Sequence, residues 1–153
     1  MAFFALLYAM FVGMARLSRW MLRSKYEHAT VGNIVVDATG AATIPVLATF
    51  TGVRGLPWWY GFATNNAKPL LVIDRDGIRV RVIRTQWRRF DEIACVDIRQ
   101  AIGTVNLEVA FHDSLLTFSA NLGAVPLAAH VLRLLPSSVP LSARAVAVRD
   151  RRA

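Results

Sequence analysis

Cysteine occurs once in 153 residues, as Cys95, which excludes a disulfide framework and any multi-cysteine zinc site. Charge is sparse: charged residues make up 18% of the chain against a globular average of about 25%. Acids number 10 against 18 bases, and lysine is nearly missing, so the formal net charge of +8 is carried by arginine. Sparse charge together with 55% apolar residues excludes a disordered chain. Long apolar runs are confined to the N-terminus, and the rest of the chain cannot offer the ~20 residues that each membrane span requires, which excludes a multi-span transporter. Catalytic signatures are missing too, with no G-x-S-x-G, P-loop or H-E-x-x-H. His28, His112 and His130 stand far apart in sequence. The expectation is no enzyme, no catalytic residue, no metal ligand set and no cofactor. The length allows one domain with short extras. The basic excess favours contact with phosphate, in anionic lipid or nucleic acid.

The N-terminus is the greasiest part. Met1 to Ala15 carry no charge, and Phe3, Phe4, Leu7 and Phe11 stand among apolar neighbours on every helical face. Arg16, Arg19 and Arg23 follow at i, i+3 and i+7, which places them on one helical face beside Trp20. A secretory signal has its positive charges before the apolar stretch and a small-residue cleavage site after it. Here the charges come after, and no A-x-A site precedes them. Residues 1–23 are therefore expected to form an uncleaved transmembrane or membrane-anchor helix. Fifteen residues rise only about 22 Å against a core of roughly 30 Å, and snorkelling of Arg16 and Arg19 extends the reach. Trp20 then sits at the interface, and the flanking arginines put the remainder on the cytoplasmic side of a bacterial inner membrane. The alternative is an apolar helix packed on the domain or on a partner.

Residues 24–32 read as a connector, and β patterns dominate after it. Asn33 to Asp37 is a β-branched run, and Ala42 to Phe50 a second strand with Pro45 inside it, at an edge or bulge. Gly55 to Pro69 is a loop carrying a charge-free aromatic cluster, Trp58, Trp59, Tyr60 and Phe62, either a docking knob for a partner or membrane, or a cap on the core. Leu70 to Ile73 is a strand, Asp74 to Gly77 a hairpin turn with Gly77 free to take positive φ, and Ile78 to Val82 alternates strictly. Ile93 to Arg99 puts Ala94, Val96 and Ile98 on one face and Asp97 and Arg99 on the other. Val105, Leu107, Val109 and Phe111 alternate again, and Leu115 to Ser119 returns. Cys95 is expected to be a buried, inert thiol. Pro126 opens a helix whose stripe is Leu127, Val131, Leu134 and Leu135, and Pro136 ends it. Residues 137–153 read as a loose basic tail, with Ala145 to Val148 able to add a short strand.

Three stretches, "LLVIDRDGIRVRV", "WRRFDEIACVDI" and "LLTFSANLGAVPLAAHVLRLL", resemble the bacterial pleckstrin-homology-like (PH-like) domains. The resemblance implies a mainly β fold over residues 33–136, an antiparallel PH-like barrel or sandwich capped by a C-terminal helix, behind an N-terminal membrane helix. It implies binding rather than catalysis, and fold alone does not fix function.

The candidate binding surface is the basic hairpin: Arg75, Arg79, Arg81, Arg84, Arg88 and Arg89. Period two puts Arg79 and Arg81 on one strand face. The plain reading is a solvated face whose arginines pair with Asp74, Asp76, Asp91 and Glu92; the functional one is contact with acidic head groups or an acidic partner. Together these features suggest a membrane-anchored, non-enzymatic binding or scaffold module, an accessory subunit of an integral membrane protein complex. The second reading is an anionic-lipid head-group module. Partners are then membrane lipids and the complex, with a homo-oligomer left open. Nucleic acid is not expected, since the aromatic rings do not interleave with the arginines, and a soluble enzyme is the weakest alternative.

Overall fold

The computed structural model describes residues 29–56, 63–101 and 104–151. The expected anchor, residues 1–23, including Phe3, Phe4, Leu7, Phe11, Arg16, Arg19, Trp20 and Arg23, lies outside the described residues. So do most of the connector, the aromatic cluster Trp58, Trp59, Tyr60 and Phe62, and His28.

Among the described residues ten strands form two sheets of five, and every strand pairing is antiparallel. The first sheet holds Val35–Val36 (β1), Ala42–Thr43 (β2), Leu70–Ile73 (β5), Gly77–Arg81 (β6) and Thr85–Arg89 (β7), in the order β1-β2-β5-β6-β7. The second holds Ala48–Val53 (β3), Ala63–Asn65 (β4), Ile93–Ala101 (β8), Thr104–Phe111 (β9) and Leu116–Asn121 (β10), in the order β4-β3-β10-β9-β8. Two helices follow, Val125–Leu134 (α1) and Ala143–Arg149 (α2). The expected mainly β, antiparallel architecture with a C-terminal helix is present. Among the described residues the two sheets do not close into a barrel.

Period-two alternation builds the core. β9 buries Val105, Leu107, Val109 and Phe111, and β6 buries Ile78 and Val80 while Arg79 stays in water. These residues join one cluster with Leu71, Ile98 and Phe118 and with Leu127 and Val131 of α1. Polar bonds also cross between the sheets: the buried Thr49 hydroxyl donates to the Arg81 carbonyl at 2.6 Å, and Asn65 Nδ2 donates to the Val82 carbonyl at 2.9 Å. Both satisfy carbonyls at the end of β6, where its ladder runs out.

The structure corrects the sequence reading at several points. Ala42 to Phe50 is not one strand. The Ile44 N–H bonds to Leu71 in the first sheet and the Leu47 N–H to Asn121 in the second, so Pro45 sits where the chain changes sheets. A residue without an N–H suits that crossing, because no ladder claims it there. Part of the expected Gly55–Pro69 loop is strand β4, paired with β3. In β8 a bulge between Ile93 and Cys95 shifts the alternation, so Ile93, Val96 and Ile98 face inward and Ala94 does not. Cys95 is consequently half-buried on the outer face instead of buried. Burial raises its thiol pKa, and the charges of Asp97 and Glu108 raise it further, so the neutral, weakly nucleophilic thiol is favoured. On α1 the buried stripe is Leu127, Ala128, Val131 and Leu132, and Leu134 is left at the surface.

The tail is the largest correction. Val139, Ala145 and Val148 are buried, and residues 143–149 form a helix, not a strand or a loose end. Ser142 caps this helix by accepting from the Ala145 N–H at 3.1 Å. Arg133 of α1 reaches its far end, donating to the Arg149 and Arg151 carbonyls at 3.1 and 2.7 Å. The domain thus extends past Pro136 to residue 151.

Gly77 is required for a different reason from the one expected. Its φ is not positive; it is the first residue of β6, and a Cβ there would lie 2.2 Å from the Arg88 carbonyl oxygen. The neighbour is backbone and cannot step aside. Gly77→Ala should therefore destabilise the fold by about 1–3 kcal/mol. Urea unfolding checks this, and an unchanged midpoint would place β7 further from β6 than described here.

Candidate functional site: a basic sheet face

The pairing register sorts the hairpin arginines. Arg79 lies opposite Trp87, Arg81 opposite Thr85, and Gly77 opposite Arg89. Ile78 and Val80 between them point into the core, so Arg79, Arg81, Trp87 and Arg89 share the outer face of the first sheet. Trp87 is 49% exposed, a large ring left half in water. Arg75 stands at the β5–β6 turn and Arg84 at the β6–β7 turn, at opposite ends of that face. Arg88 is turned the other way. It lies opposite Ile78, stacks 4.9 Å from the centroid of the Phe111 ring, and pairs with Asp113 at 3.1 Å and Glu92 at 3.6 Å. The six arginines therefore do not form one patch: three lie on the face, two at its ends and one behind it.

The carboxylates only partly neutralise this face. Arg79 pairs with half-buried Asp74 at 3.7 Å, and Arg89 with exposed Asp91 at 2.8 Å. Surface pairs of this kind contribute ~0–1 kcal/mol, so an external anion can replace them. Arg81 spends its Nε on the Lys68 carbonyl at 2.8 Å. Among the described residues Arg75, Arg81 and Arg84 have no carboxylate at ion-pair distance, and Asp76 pairs with none of the arginines. Opposite-charge pairing thus explains some of the hairpin arginines and leaves others over.

A second charged cluster lies on the outer face of the other sheet, and it is structural. Asp97 of β8 stands opposite Glu108 of β9. Asp97 accepts from the Ser142 hydroxyl at 2.5 Å and from both Nε and Nη2 of Arg144. Glu108 pairs with Arg99 at 2.8 Å. The backbone adds two bonds, Val96 N–H to Pro140 at 2.8 Å and Ser142 N–H to Val96 at 2.9 Å. Together these bonds clasp the start of α2 onto strand β8 and cover its outer edge.

The remaining candidates disperse. His112 follows β9 in a turn, and His130 lies within α1, a different element. Among the described residues no group of His, Cys, Asp and Glu could hold a metal ion, and no helix is long and apolar enough to cross a membrane. Sequence reasoning missed the Asp97–Ser142–Arg144 clasp, because its members are 45 and 47 residues apart and meet only through the fold. No protein-family model matches the chain, and no curated protein matches it in sequence.

The two acids of the clasp respond oppositely to pH. Burial pushes the Asp97 pKa up, but the hydrogen bonds from Ser142 and Arg144 and the charge of Arg144 outweigh it, and the net shift is down. Burial dominates at Glu108 and raises its pKa despite Arg99. A depressed carboxylate pKa gives stability that is full above the unfolded value of about 3.9 and is lost as pH falls through the folded value. A raised one acts in the reverse direction. Asp97→Asn should therefore cost about 1–2 kcal/mol at neutral pH, and that cost should shrink as pH falls below about 4. Denaturant titrations of both proteins from pH 7 to pH 3 check this; a difference independent of pH would dismiss the charged clasp.

Proposed function

We propose that this protein is a membrane-associated, non-enzymatic binding module whose outer β5–β7 face docks against an acidic surface, foremost the anionic head groups of the membrane that its N-terminal segment enters. One observation carries the reading: Arg79, Arg81 and Arg89 flank an exposed Trp87 on a single sheet face. Cations that find phosphate, beside a ring that prefers the membrane interface, are a chemically matched set. The two-sheet arrangement with a C-terminal helix supports a PH-like assignment, and that likeness favours binding over catalysis. The uncharged run before Arg16 supports an anchor, and an anchor raises the local concentration of the surface that the basic face would meet. An accessory role in a larger membrane complex is the second reading, favoured by the charge-free aromatic segment from Trp58 to Phe62.

Two measurements test this. In fractionation, the full chain should pellet with membranes; recovery in the high-speed supernatant would dismiss the anchor. In flotation, a chain starting at Tyr26 should bind vesicles increasingly as anionic lipid replaces neutral lipid. Replacing Arg79 and Arg81 with alanine together should weaken this by about 30-fold, from about 1 kcal/mol per basic residue. Equal binding to neutral and anionic vesicles would dismiss the head-group reading.

A further inference from the structure

The two sheets do not meet along their whole length. At the end where β10 begins, opposite the end that leads into α1, they part around a cleft of about 680 Å³. Its walls come from both sheets: Val80, Val82 and Ile83 on one side, Phe111, Leu116 and Phe118 on the other. Arg84 and Arg88 also line it. The volume falls in the range of small-molecule sites, roughly 300–1,000 Å³.

Two features at this cleft are unexplained by folding. Ile83 is 78% exposed and Leu116 48% exposed, although both border an apolar cavity. Large apolar side chains gathered around an open cavity mark a surface that binds something apolar. The charges at the cleft are also unequal. Arg88 is satisfied by Asp113 and Glu92, whereas Arg84 has no carboxylate at ion-pair distance among the described residues. One unmatched cation beside an apolar cavity complements a ligand with one negative charge and a hydrocarbon body.

We propose that this cleft binds a single-tailed amphiphile with a monoanionic head, a long-chain fatty acid, with the tail against Val80, Leu116 and Phe118 and the carboxylate at Arg84. Size supports one tail. Taking each methylene at about one water's share of liquid volume, roughly 30 Å³, a sixteen-carbon chain fills about 480 Å³, and two such chains overfill the space. The tail is driven in by removal of apolar surface from water, and the head is held by a charge-assisted bond to a guanidinium. The site lies on the inner side of the first sheet, so it does not depend on the outer face formed by Arg79 and Arg81.

The test is photo-crosslinking of the full chain in phosphatidylcholine vesicles, with a sixteen-carbon fatty acid bearing a diazirine, followed by peptide mapping. Saturable labelling should appear on peptides spanning residues 80–88 and 114–118. Excess unlabelled sixteen-carbon acid should compete it away, and the alcohol of equal length should compete about tenfold less well. Arg84→Gln should abolish that preference for the acid. Leu116→Glu, and separately Ile83→Glu at the more exposed position, should each cut the labelling about tenfold by placing a charge in the apolar wall. Labelling is read in neutral vesicles and the head-group reading in anionic ones, so this proposal and the head-group reading fail separately. Labelling that the acid does not compete would overturn the proposal, as would equal competition by the alcohol. Equal labelling of the same peptides by a two-tailed diazirine phospholipid would identify a bilayer tail instead of the free acid, and would also overturn it.

Discussion

A pleated strand sends successive side chains to opposite faces, and two sheets that share one interior allow only one set of those faces to be apolar. That parity governs where this chain puts its charge. On β6 it buries Ile78 and Val80 and turns Arg79 outward. The register with β7 then sets Trp87 and Arg89 on the same side as Arg79 and Arg81, and sends Arg88 to the other. A slip of one residue would bring the arginines into the core, where an unpaired charge is prohibitively costly. The crowding at Gly77, where the β7 backbone leaves no room for a Cβ, reflects how closely this pair of strands approaches.

How much of this could be read in the sequence follows the same physics. β6 and β9 were legible because each is long enough to alternate and has one apolar face, and β5 because an unbroken apolar run leads into the turn before Gly77. The first strands were legible only in part: β1 falls inside the expected Asn33–Asp37 run, but the boundaries were not readable. β1 and β2 have two residues each, too few to show a period, and the proline after Ile44 marks a change of sheet that local pattern cannot distinguish from a bulge. In β8 only Ala94 was misread, because one inserted residue inverts the parity of what precedes it, whereas Val96 and Ile98 were placed correctly. The helix α2 buries only Ala145 and Val148, and its A-R-A-V-A-V-R sequence shows no helical stripe; a cap and a clasp to distant Asp97 hold it. The hairpin arginines were found from composition, and their division into face, ends and back required the register. The cleft was invisible, because its walls come from strands far apart in the chain.

The two sides of the first sheet have different chemistry. Outside, guanidinium groups and one indole lie in water, loosely paired with carboxylates. Inside, near the β6–β7 turn, apolar walls meet a cation that lacks a counterion among the described residues. The proposed docking against a charged surface uses the outer side, and the proposed amphiphile the inner one. The clasp around Asp97 belongs to the other sheet, where it holds α2 in place.

Arginine footprinting tests the central claim most directly. The full chain is treated with an arginine-selective dicarbonyl in neutral vesicles and in vesicles rich in anionic lipid, and modification is read residue by residue. The account predicts that Arg88 reacts slowly in both, and that Arg79, Arg81 and Arg89 react readily in neutral vesicles and become protected in anionic ones, with Arg133 and Arg149 unaffected. Arg88 reacting as fast as Arg89, or protection spread evenly over all arginines, would contradict it.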